Sequence, residues 1–114
     1  MTSQSKELVA ASATPMILSI LSRGETYGYA IIREIRDLSG ERIQWTDGML
    51  YPVLRRLENQ GLLESEWRVA ESGKKRRYYR IKKSGRVALG EHRTQWRLTN
   101  RVLNKLWEGT PCLT

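Results

Sequence analysis

Residues 46–61 read Thr46-Asp47-Gly48-Met49-Leu50-Tyr51-Pro52-Val53-Leu54-Arg55-Arg56-Leu57-Glu58-Asn59-Gln60-Gly61, and this stretch, with residues 62–81 behind it, decides the fold. Leu50, Val53, Leu54 and Leu57 recur at i, i+3, i+4 and i+7, the apolar stripe of a helix expected from about Asp47 to Gln60 and ended by Gly61. Pro52 fits such a helix if its regular part begins near Leu50, which puts the proline in the first turn. The opposite face then carries Gly48, Tyr51, Pro52, Arg55 and Asn59, with Arg56 at its margin. After Gly61 the period changes from helical to strand-like. Leu63, Ser65 and Trp67 alternate with polar neighbours, and Tyr78, Tyr79 and Ile81 favour strands. Between them lies Ala70-Glu71-Ser72-Gly73-Lys74-Lys75, a polar turn, so the reading is a β-hairpin with a basic tip.

Working outward, a helix is expected from about Thr26, as N-cap, to Leu38, with Gly28, Ile31, Ile35 and Leu38 at helical spacing. A short connection, Glu41 to Trp45, leads from it to the central stretch. A first helix runs from about Lys6 to Ser22, with Leu8, Ala11, Ile17, Leu18 and Leu21 as its apolar residues. Pro15 should kink or divide it. The last element, about Ser84 to Glu108, would be a helix of roughly 24 residues and about 36 Å. Leu89, His92, Trp96, Thr99, Leu103 and Leu106 follow alternating steps of three and four, a partly apolar seam of the coiled-coil kind. Little else in so small a chain can cover that seam, which points to a second copy. The fold class expected is therefore mainly α with a small β-hairpin: a winged helix-turn-helix plus a long C-terminal dimerisation helix. Residues 1–83 would form the DNA-binding region and 84–114 the dimerisation helix and tail, in one compact domain.

The chain of 114 residues carries 20 Lys and Arg against 12 Asp and Glu, a net charge of +8. Lys74, Lys75, Arg76, Arg77, Arg80, Lys82, Lys83 and Arg86 fall in one stretch without an acid, leaving twelve basic and twelve acidic residues elsewhere. Such a balance points to nucleic acid or an anionic surface; a merely solvated face is the other reading. In a helix-turn-helix the second helix of the pair enters the major groove. Arg55 is then the candidate base reader, since a guanidinium bonds guanine bidentately; a phosphate contact or a plain surface arginine is its alternative. Asn59 can read adenine or cap the helix. Tyr51 can donate to a phosphate or pack its ring. Residues Lys74 to Arg77 at the wing tip would contact phosphates, which give affinity and register rather than sequence choice. Tyr78 and Tyr79 point to opposite faces of a strand, which favours packing over stacking on unpaired bases.

Catalysis finds no foothold: there is one histidine, His92, one cysteine, Cys112, and no cluster with metal-ligand spacing. Neither enzyme, metal nor cofactor is expected. A single cysteine allows no internal disulfide, and an exposed thiol without special role is expected at Cys112. Met1 to Glu7 is polar with no apolar signal core behind it, and the longest apolar stretch, Pro15 to Leu21, is interrupted by Ser19. A cytoplasmic protein with no membrane partner is expected.

Tyr27-Gly28-Tyr29-Ala30-Ile31, the stretch from Trp45 to Glu58, Gly61 to Trp67 and Gly73 to Ile81 together resemble the PadR family of transcriptional regulators, in order and at the family's spacing across about residues 8 to 108. The resemblance implies a winged helix-turn-helix whose long C-terminal helix pairs with its partner's, assisted by the N-terminal helix. It implies a repressor, usually of a neighbouring gene and often released by a small molecule, in the smaller branch of the family with a single C-terminal helix. One departure is Lys82, where the family tends to place threonine; Ser84 is then expected to cap the last helix, which would start later. The expected DNA-contacting set is Thr46, Gly48, Met49, Tyr51, Pro52, Arg55, Arg56 and Asn59 with Tyr27, Lys74, Lys75, Arg76 and Arg77. The expected dimer interface is Leu8, Leu89, Trp96, Leu103, Leu106 and Trp107. Trp96, with His92 one turn earlier, is also a candidate site for a small aromatic ligand between two C-terminal helices; filling the dimer core is the alternative for the tryptophan, and a solvated rim position for the histidine. The partners expected are thus a palindromic duplex operator, a second copy of the chain and an aromatic ligand. A different class, a winged-helix module binding RNA or protein through its basic surface, would suit an acidic outer face on the third helix; here that face is neutral or basic.

Overall fold

A computed structural model describes residues 4–108. Four helices and three strands follow in the order α1 (Lys6–Ser22), β1 (Thr26–Tyr27), α2 (Gly28–Leu38), α3 (Asp47–Asn59), β2 (Leu63–Val69), β3 (Lys75–Ile81) and α4 (Lys83–Glu108). The fold class and the order of the four helices and the hairpin match the expectation; β1 is an additional strand, and several boundaries differ. Cys112 lies outside the described residues.

α1 is one helix with Pro15 inside it, neither divided nor ended there. Its Ser5 hydroxyl accepts from Leu8 N at 3.1 Å, closing the N-terminus. Ile17, Leu18 and Leu21 are fully buried, so packing holds the helix across the proline. α2 begins at Gly28, not Thr26, because Thr26 and Tyr27 form a short strand, pairing Thr26 with Tyr79 and Tyr27 with Tyr78. Ile31 and Ile35 face the core, whereas Leu38, expected on the same stripe, is exposed at the end of its helix. α3 begins at Asp47, earlier than Pro52 suggested. Thr46 sets that start: its hydroxyl accepts from Met49 N at 3.2 Å. Pro52 therefore stands in the second turn, on the exposed side. Leu50, Leu54 and Leu57 are buried with Ile17, Leu18 and Ile31, and Val53 packs against them.

β2 and β3 form an antiparallel hairpin with Leu63 opposite Ile81 and Val69 opposite Lys75, and β1 adds to the free edge of β3. The turn closes through Ala70 N to Lys74 O and Gly73 N to Ala70 O, both 2.8 Å, with Gly73 at φ +86°, a conformation that favours glycine. Leu63 and Ile81 reach the core at the root of the hairpin, while Trp67 and Val69, on the same face, project beyond the helices and are exposed.

The corner after α3 joins three elements. Leu62 O accepts from Lys82 N at 2.9 Å, the Ser84 hydroxyl donates to Gly61 O, and the first bond of α4 runs from Arg86 N to Lys82 O. Ser84 thus ties α4 to the end of α3 instead of capping, and the helix starts at Lys83, one residue before it. Gly85 is buried there, and a Cβ on it would lie 2.3 Å from Leu62 O and 2.7 Å from an Ile81 side-chain carbon. Leu89 also belongs to this core; beyond Trp96 the helix projects. The radius of gyration is accordingly 16.7 Å, against about 13 Å for a compact chain of this length. Among the described residues no helix is long and apolar enough to cross a membrane. Gly85→Ala should lower stability by about 1–3 kcal/mol in chemical denaturation; an unchanged midpoint would contradict the close approach.

Candidate nucleic-acid interface

The outward side of α3 presents Gly48, Tyr51, Pro52, Arg55, Arg56 and Asn59, all exposed. Two of the expected residues have other work. Met49 turns inward and packs, half-buried, against the core. Arg56 donates to the Thr14 hydroxyl at 3.0 Å, tying α3 to α1. Thr46 remains exposed, with its hydroxyl engaged as the cap.

Tyr51 leans across to the start of α2. A Cβ on Gly28 would stand 2.6 Å from the Tyr51 hydroxyl oxygen and 2.9 Å from its Cζ, so the pair of helices meets here only because residue 28 has no side chain. Partial burial, then the nearby Asp47 carboxylate, push the Tyr51 phenol above its ordinary pKa. It is therefore a protonated donor at neutral pH.

The wing is fastened to α3 by one side-chain triangle. The Ser65 hydroxyl donates to a Glu58 carboxylate oxygen at 2.7 Å and accepts from Arg77 Nε at 2.8 Å, while the Arg77 guanidinium reaches the other Glu58 oxygen at 3.5 Å. Arg77 also lies 5.7 Å from the centre of the Trp67 ring. Expected at the wing tip as a phosphate contact, Arg77 is instead half-buried and paired, because its strand position faces α3. Tyr79 is buried beside it, and burial pushes its phenol up.

The outer face of the wing is a separate ionic layer. Arg68 pairs with Glu25 and Glu66, and Arg80 with Glu64 at 3.4 Å, Glu66 at 3.5 Å and Glu25 at 3.8 Å. Glu66 is held below its ordinary pKa, chiefly by the Arg68 hydrogen bond and charge and then by Arg80. A depressed carboxylate contributes stability above its unfolded pKa and loses it as pH falls, so this layer loosens only in acid. The basic run thus divides. Arg77 and Arg80 are neutralised by carboxylates; Lys74, Lys75 and Arg76 stand at the wing tip without an ion pair among the described residues; Lys82, Lys83 and Arg86 lie at the start of α4. Between α3, the start of α2 and the wing opens a cleft of about 900 Å³ whose walls include Tyr51, Arg55 and Asn59 on one side and Tyr27, Lys74 and Arg76 on the other.

On α4, Leu89 is buried in the chain's own core and is not a seam residue open to a partner. Trp96 and His92 are half-buried and line a groove with Ser12, Pro15 and Met16 of α1, so the tryptophan lies against its own N-terminal helix. Leu8, Leu98, Val102, Leu106 and Trp107 are exposed, and Leu103 is half-buried. No group of three metal-ligating side chains occurs among the described residues.

Three helices, a two-stranded wing and a projecting C-terminal helix define a winged helix-turn-helix of the kind found in bacterial regulators. The Transcriptional regulator PadR-like family matches residues 17–91, and the chain belongs to that family. It is 40% identical over 88 residues to the transcriptional regulator Rv3488 of Mycobacterium tuberculosis, covering 77% of this chain and 78% of that one. A PadR family transcriptional regulator from Eggerthella lenta has the same fold at a TM-score of 0.76 and 39% identity, over 90% of this chain and 87% of the other. A transcriptional regulator from Clostridium thermocellum superposes with a TM-score of 0.79 at 33% identity, over 88% and 97% of the two chains.

Neither the Ser65 triangle nor the contact of Gly28 with Tyr51 is legible in the sequence. Strand alternation did put Ser65 on the inward face, but nothing local shows which helix residue it meets. Gly28→Ala should lower stability in the wild-type background and be neutral or stabilising in Tyr51→Ala, where alanine's better helix propensity is unopposed; equal effects in both backgrounds would show that the two residues do not touch.

Proposed function

We propose that this chain is a sequence-specific duplex-DNA-binding repressor acting as a homodimer. The observation that carries the reading is the cleft: it sets the outward residues of α3 and the un-neutralised cations of the wing tip across one concave surface, while the remaining arginines of the sheet are paired with carboxylates. α3 would enter the major groove with Tyr51, Arg55 and Asn59 towards the bases, and Lys74, Lys75 and Arg76 would hold the flanking phosphates. Residues 1–83 serve DNA in this reading, and 84–114 serve dimerisation. The exposed Leu98, Val102 and Leu106 on the projecting part of α4 would supply the surface for the second copy, and Leu8 of α1 is exposed as well. The groove at Trp96 would receive a planar aromatic compound that releases the DNA; a ring stacked there gains about 0.5–1.5 kcal/mol beyond area burial.

A gel shift on the DNA upstream of its own gene, with single-stranded RNA as competitor, tests the class: displacement by the RNA would favour a general basic module instead. Lys74→Ala should weaken binding to operator and random duplex alike and lower the salt slope by about 0.9, whereas Arg55→Ala should cost about 1–3 kcal/mol on the operator only; equally non-selective losses would remove Arg55 as a base reader. Light scattering after size exclusion should give twice the 13.2 kDa chain mass, and a monomer at micromolar concentration would contradict the dimer and a palindromic operator with half-sites about one helical turn apart. Saturable quenching of tryptophan fluorescence by a planar aromatic should be lost in Trp96→Phe; since Trp45, Trp67 and Trp107 also emit, undiminished quenching there would place the ligand elsewhere.

A further inference from the structure

Tyr27 belongs to two elements at once. It pairs with Tyr78 as the second residue of β1, and it stands at the N-cap position of α2 without capping through its side chain. Its ring meets that of Tyr78 edge-on, with centroids 5.5 Å apart and planes at 66°. Arg76, two residues from Tyr78 on the same face of β3, lays its guanidinium carbon 4.4 Å from the Tyr27 centroid. Arg68 lies 4.6 Å from the Tyr78 centroid and is itself held by Glu25 and Glu66. A continuous series thus runs from two carboxylates through Arg68, Tyr78 and Tyr27 to Arg76 at the rim of the cleft.

Arg76 differs from the other cations of the sheet. Arg68, Arg77 and Arg80 have carboxylate partners, which fix them and cancel their charge. Lys74 and Lys75 keep their charge but have no partner among the described residues to fix them. Arg76 is fixed by a ring, which orients a guanidinium through its π face without neutralising it and leaves the edge N–H donors available.

We propose that Tyr27 is a positioning residue: its ring holds Arg76 ordered and fully charged at the cleft rim to take a phosphate of duplex DNA, and Tyr27 itself does not touch the DNA. The proposal rests on the duplex-binding reading above. It replaces a direct contact by Tyr27 with an indirect role, in which ordering the guanidinium beforehand removes part of the entropy lost on binding.

The test uses a random-sequence duplex titrated at several salt concentrations, together with side-chain NMR of the DNA-free protein. Arg76→Ala should weaken binding several-fold and lower the salt slope by about 0.9. Tyr27→Phe keeps the ring and should bind as the wild type does. Tyr27→Leu should weaken binding, and combined with Arg76→Ala it should be no weaker than Arg76→Ala alone. Weak binding by Tyr27→Phe, or losses that add in the double variant, would overturn the proposal. In the free protein the ring should shift the Arg76 δ-methylene protons upfield, in wild type and Tyr27→Phe alike. Absence of that shift in the wild type overturns the platform whatever the DNA result, and whether or not Tyr27→Leu folds. A wild type that shows the shift but binds no duplex overturns the DNA reading instead.

Discussion

The corner at Gly61–Leu62 is the constraint on which the rest of the structure depends. Within a few residues it ends α3, roots the wing and launches α4, through Lys82 N to Leu62 O, the Ser84 hydroxyl to Gly61 O, and the absence of a side chain on Gly85. Each hydrogen bond is worth only about 0.5–1.5 kcal/mol net. Their effect is directional: α3, the hairpin beside it and the projecting α4 leave one point in fixed directions.

Further out, the Glu58–Ser65–Arg77 triangle holds the wing against α3 where core packing no longer reaches. Its partly exposed ion pair adds little to stability by itself, since exposed pairs contribute about 0–1 kcal/mol; the two short bonds to the Ser65 hydroxyl carry the geometry. Charge is arranged in the same economical way. Carboxylates pair with Arg68 and Arg80 on the outer face of the wing, and Glu58 pairs with Arg77, so within the hairpin the cations left without an ion pair among the described residues are those of the tip.

The helices and the hairpin were legible because each follows a local period: Leu50, Leu54 and Leu57 at helical steps, Leu63, Ser65 and Trp67 at steps of two. Features set by contacts distant in sequence were not. β1 is two residues long and exists only because β3 offers a free edge, so Thr26 reads as a cap. Pro15 and Pro52 read as boundaries, yet burial of their neighbours and the Thr46 cap carry the helices through them. The basic run correctly marked the wing, but charge counting does not reveal that Arg77 and Arg80 are spent on Glu58 and Glu64. Leu89 and Trp96 lie on one periodic seam, and nothing in that period shows that α1 of the same chain occupies its first half.

The proposed DNA-binding face joins α3 and the wing tip. Amide NMR of the protein titrated with a duplex selected from genomic fragments tests it most directly. Residues 46–59 and 70–77 should shift together with one midpoint, while residues 98–108 of α4 stay unperturbed. Shifts confined to only one of the two elements, or concentrated along α4, would contradict it.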